Sequence, residues 1–156
     1  ARPLALHHPD RVRQVISLGS PIRIEDPEAN VSDAVRRLAQ LSGLQRNRRG
    51  HDLTEVPVPS TVIFSRQDGV VAAASCLQPV GPTAENIEVR GAHIGLGHNP
   101  SAICAVAERL SQRDGQWQPF EPPTPLSRCR MRPVPCGKSP DPRHTARPRR
   151  VRPSCR

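Results

Sequence analysis

Two side chains have the types and placement for proton-transfer chemistry: Asp68 and His93. Asp68 closes residues 59–71, PSTVIFSRQDGVV, where apolar and β-branched Thr61 to Phe64 give way to polar residues and then Asp68-Gly69. A short apolar run that stops at turn chemistry reads as a buried strand. Functional side chains in open α/β sheets gather just beyond the carboxyl ends of strands, and Asp68 is in that place. His93 follows the alternating strand Ile87-Glu88-Val89, after a break at Gly91. An acid after one strand and a histidine after the next is the order of the last two members of a Ser–acid–His triad. The base takes the nucleophile's proton and passes it to the leaving group, which suits an imidazole titrating near neutrality. The acid holds the imidazole's tautomer and stabilises its charged form. His98 is a rival base, but it sits beside Asn99-Pro100 at a helix start, so His93 is preferred. On its own, Asp68-Gly69 would be an ordinary turn and His93 a hydrogen-bonded loop histidine.

The elements that must position this pair are read in chain order. A helix end carrying Leu4, Ala5, His7 and His8 stops at Pro9-Asp10. A strand with Val12, Val15, Ile16 and Leu18 closes on Gly19-Ser20-Pro21. Residues 31–44 place apolar side chains three and four apart, an amphipathic helix with Asn30 or Ser32 as its N-cap. Residues 76–84 form a Pro/Gly loop, and Asn99-Pro100-Ser101 caps a last helix with Ile103, Val106, Ala107 and Leu110. That helix ends by Asp114-Gly115, and Trp117 and Phe120 fold back to seal it. Alternating helices and strands give an α/β class with about three parallel strands.

Charge divides the chain in two. Residues 1–120 hold 13 Lys+Arg against 12 Asp+Glu, whereas residues 121–156 hold 10 against 2 and nine of the 19 prolines. The second segment has little apolar surface to offset its ordering entropy, so it reads as a disordered basic tail. Five cysteines at irregular spacing, with no C-x-x-C, give neither a zinc site nor a disulfide framework. No metal or cofactor is implied. No apolar run approaches the ~18 residues of a membrane span, and without a targeting segment the default compartment is cytoplasmic.

Taken together, HPDRVRQVISLGSP, STVIFSRQDGVV and ENIEVRGAHIGLGHNP ahead of a helix resemble the C-terminal half of an α/β-hydrolase, nearest to bacterial esterase- and lipase-like members. The likeness spans residues 1–120. It implies a partial α/β-hydrolase fold, the last three parallel strands with their helices. By it Asp68 is the triad acid and His93 the base, the helix at 31–44 lies where the lid is placed, and the substrate of the whole enzyme is a small ester or lipid. The family's nucleophile sits in G-x-S-x-G ahead of the acid, and no such pattern occurs here. Ser17 has Val15 where the first glycine should be, and Ser20 ends a later strand. The expected place of the serine is therefore upstream of Ala1, in a longer protein of which this chain, not starting with Met, is a piece; alone it is expected to be inactive and weakly folded.

The competing class is a non-catalytic basic protein. The ending HTARPRRVRPSCR can neutralise phosphates and hold nucleic acid or other polyanions weakly. None of Phe64, Trp117 and Phe120 lies among the tail arginines to stack on a base, which argues against nucleic-acid recognition as its function.

Overall fold

The computed structural model describes residues 1–22, 53–123 and 131–134. Its centre is a four-stranded sheet in the order β1 (Val15–Leu18), β2 (Ser60–Phe64), β3 (Ala84–Val89), β4 (Met131–Pro133). The first three strands run parallel and β4 is antiparallel to β3. Around it lie α1 (Arg2–His7), a short α2 (Ala73–Cys76) and α3 (Pro100–Ser111), with 3-10 turns at Pro9–Arg11 and His93–His98. The α/β class and the three parallel strands stand as expected.

β2 is interior to the sheet and all five of its residues are buried, which is why its sequence is an unbroken run. Successive side chains alternate between the two faces. Ile63, Ile87 and Val89 join Leu96, Ala102 and Ala105 in one core, with Phe120 and Met131. Val62 and Phe64 meet Val71, Cys76 and Leu77 in a second. A third, smaller cluster joins Ala5 of α1 to Val15 and Val58.

Several boundaries differ from the reading of the sequence. β1 starts at Val15 rather than Val12, because a 3-10 turn occupies Pro9–Arg11. β3 starts at Ala84, and Cys76 ends α2 instead of opening a loop. α3 is capped as expected: Asn99 Oδ1 accepts from Ser101 N at 2.9 Å and Ala102 N at 3.4 Å, and Pro100 holds N1. Its buried face, however, is Ala102, Ala105 and Arg109, while Ile103 and Leu110 are more than half exposed. Small alanines let the helix approach the sheet closely, and the arginine pairs with the buried Glu85 and with Glu108 beside it. Phe120 does fold back and is buried.

The tail is corrected in part. Met131 is buried against the first core, and Val134 N donates to Asn86 O at 2.9 Å, so residues 131–134 are ordered on the free edge of β3. Backbone pairing to an open strand edge makes few demands on side-chain composition, so a basic, Pro-rich segment can still supply a strand. The remainder of the tail beyond 123, and the helix expected at 31–44, lie outside the described residues. No helix among the described residues is long and apolar enough to cross a membrane.

Candidate functional site

β1, β2 and β3 run parallel, so their carboxyl ends lie along one edge of the sheet, and the segment just past each supplies a piece of the site. Beyond β2 the chain turns at Ser65, whose carbonyl accepts from Asp68 N at 3.3 Å. The Asp68 carboxylate is then fixed by the backbone after it: Oδ1 accepts from Val70 N and Val71 N, each at 2.8 Å. This leaves Oδ2 for one further donor. Beyond β3, Gly91 and Ala92 lead into the 3-10 turn that starts at His93. His93 Nδ1 lies 2.7 Å from Asp68 Oδ2.

The Asp68 side chain is 2% exposed and that of His93 is 34% exposed. The acid is thus sealed, and the base keeps an accessible edge. An ionised carboxylate only accepts hydrogen bonds, so the proton between the two belongs on Nδ1. That tautomer leaves the Nε2 lone pair of His93 as the proton acceptor. Among the described residues no protein group bonds Nε2.

Backbone geometry makes the contact possible. Gly19, just past β1, has φ of 55°, a left-handed conformation that glycine adopts without steric cost. A Cβ there would stand 2.8 Å from Leu96 Cδ1 and 3.4 Å from both Asp68 Oδ2 and His93 Nδ1. The bare glycine therefore covers the Asp–His hydrogen bond directly, held there by its N–H to Ile63 O at 2.8 Å. Gly91 is needed for a different close approach, since a Cβ would meet Asn99 Nδ2 at 2.8 Å. Asn99 Nδ2 donates to Arg90 O at 2.6 Å while its Oδ1 caps α3, so one side chain ties the histidine loop to the following helix.

His98, the rival base, lies exposed at the end of the 3-10 turn, and the bond to Asp68 is made by His93. Ser20 is exposed and its hydroxyl donates to Leu18 O at 3.3 Å. Cys76 lies behind the acid; burial first, and the Asp68 charge second, push its thiol up to about 12. It stays protonated at neutral pH, so it is no nucleophile there. Among the described residues no cluster of three or more His, Cys, Asp or Glu could hold a metal ion.

The sequence reading missed two contributors to the site, Gly19 and Ser65. Gly19 looked like turn punctuation. Ser65 looked like the polar end of a strand, yet it is buried and bonded to both loops. Away from the Asp68–His93 pair, Arg109 and Glu85 form a buried ion pair at 2.7 Å between α3 and β3. No local pattern marks Glu85 as its partner, because the two are 24 residues apart. In comparisons with known proteins, no family model, curated protein or solved structure matches the chain.

Proposed function

We propose that Asp68 and His93 are the acid and base of a hydrolase of the α/β-hydrolase kind, acting on carboxylic esters through a Ser–Asp–His triad. The observation that carries this reading is the 2.7 Å contact from Nδ1 to Oδ2 between a sealed aspartate and a partly exposed histidine, each just past a parallel strand. In this reading His93 Nε2 takes the proton of a serine hydroxyl as its oxygen bonds the ester carbonyl carbon. The same proton passes to the alcohol as the C–O bond breaks, and water repeats the cycle to release the acid. Asp68 stabilises the imidazolium formed between those steps.

The 156 residues contain no G-x-S-x-G, so the serine is proposed to be encoded ahead of Ala1. The test is to express this chain joined to the segment read in frame upstream of it. Hydrolysis of a 4-nitrophenyl ester and labelling by a fluorophosphonate are both measured. Activity is expected from the joined protein and not from residues 1–156 alone. Asp68→Asn and His93→Ala should each lower kcat by about 10⁴-fold, the scale of losing tautomer control or the base. Hydrolysis that survives both substitutions, or a joined protein that neither labels nor turns over, sinks the reading.

A further inference from the structure

We infer that Ser65 is a positioning residue that sets the separation of the acid and the base. The inference rests on reading Asp68 and His93 as a working pair. β2 and β3 are registered side by side as far as Phe64 and Glu88, and beyond that point the ladder ends and the two loops part. Ser65 is the first residue past β2. Its Oγ accepts from Gln67 N at 3.0 Å, inside the turn that presents Asp68, and from Gly91 N at 3.2 Å, inside the loop that presents His93.

One oxygen thus bridges the acid loop and the base loop, one step beyond the last backbone pairing, and both its lone pairs are used. Ser65 is 2% exposed, so water cannot replace the hydroxyl without opening the site. Each N–H it receives belongs to a loop that carries one member of the pair. The bond from Gly91 is the more consequential, because Gly91 is two residues from His93 and already pressed against Asn99. With Asn99 holding Arg90 O from the helix side, the histidine loop is fixed between α3 and the acid turn. A short loop with both ends held leaves His93 Nδ1 little freedom to leave Asp68 Oδ2.

The test reads the pair itself by proton NMR of the full 156-residue chain. The wild-type protein should show a downfield His93 Nδ1–H resonance, assigned by its loss in His93→Gln, and a slowly exchanging Gly91 amide. Ser65→Ala should lose the resolved Nδ1–H resonance through faster exchange with water, with the α3 amides unchanged. Ser65→Thr, which keeps the hydroxyl, should retain it. Ser65→Val, which matches threonine in shape, should lose it. A resonance unchanged in Ser65→Ala and Ser65→Val, or a Gly91 amide that exchanges freely in the wild type, overturns the role of Ser65. A wild-type spectrum without the His93 resonance, despite a protected Gly91 amide, instead overturns the acid–base pair and this assignment with it.

Discussion

At Asp68 every acceptor position that matters is filled, two backbone N–H groups on Oδ1 and the imidazole on Oδ2. The charge of this carboxylate reaches the neighbouring side chains. Cys76 feels it most plainly, since burial and then Asp68 raise its thiol from 9.0 to about 12. The sign of the linkage follows. Between about pH 9 and 12 the unfolded thiol ionises while the folded one stays protonated. The unfolded state then binds fewer protons, so stability falls as pH rises through that window. Urea midpoints should drop from pH 8 to pH 10, and Cys76→Ala should flatten the drop. An identical slope in the variant would show that other groups set it. The same protection should leave Cys76 unalkylated by iodoacetamide in the native protein at pH 8.

Among the elements, α3 is the one on which the base depends. Its N-cap, Asn99, satisfies two helix N–H groups with Oδ1 and the Arg90 carbonyl with Nδ2. Asn99→Ala should destabilise the protein by about 1 kcal/mol from the lost cap, measured by urea unfolding. Asn99→Gly should recover most of this, because glycine is tolerated at the cap. If both substitutions cost the same, the bond to Arg90 O outweighs the cap. The helix also shows how close packing can override hydropathy. Ile103 and Leu110 are left over half exposed, while alanines and an arginine face the sheet.

Across the whole molecule, each face of the sheet is held by buried polar groups as well as by apolar contacts. On the α3 face, Arg109 bonds Glu85 at 2.7 Å and Gln118 O at 2.6 Å. Its guanidinium lies 5.8 Å from the Trp117 ring centre and 5.7 Å from that of Phe120. Glu85 also accepts from Thr61 Oγ1 and from Phe120 N. On the opposite face, Gln78 bonds Arg2, Ser60 and Asn86. Burial without a carboxylate partner among the described contacts lowers the Arg2 pKa. Arg109→Met keeps most of the stem volume but leaves Glu85 without its cation, and should cost about 3–5 kcal/mol in urea unfolding. Adding Glu85→Gln should restore part of that loss, since the unpaired charge is the larger penalty. A double variant as unstable as the single one would assign the loss to packing around Trp117 and Phe120 instead.

The sequence by itself determined the local elements and the ends of strands where chemistry could sit. Apolar runs, Pro9, the Asn99-Pro100 start and the glycine breaks are local signals, and local backbone physics reads them directly. Asp68 and His93 were legible for that reason: each follows its strand in the chain. Tertiary structure alone decided what touches what. The Asp68–His93 bond, the seat of Gly19 on it, the bridge from Ser65 to Gly91 and the Arg109–Glu85 pair all join segments more than 20 residues apart. Single-residue hydropathy carries no term for such contacts, because they are set by sheet register and helix approach. The same reason explains the strand at Met131–Pro133, whose place depends on an open backbone edge of β3 and not on its own composition.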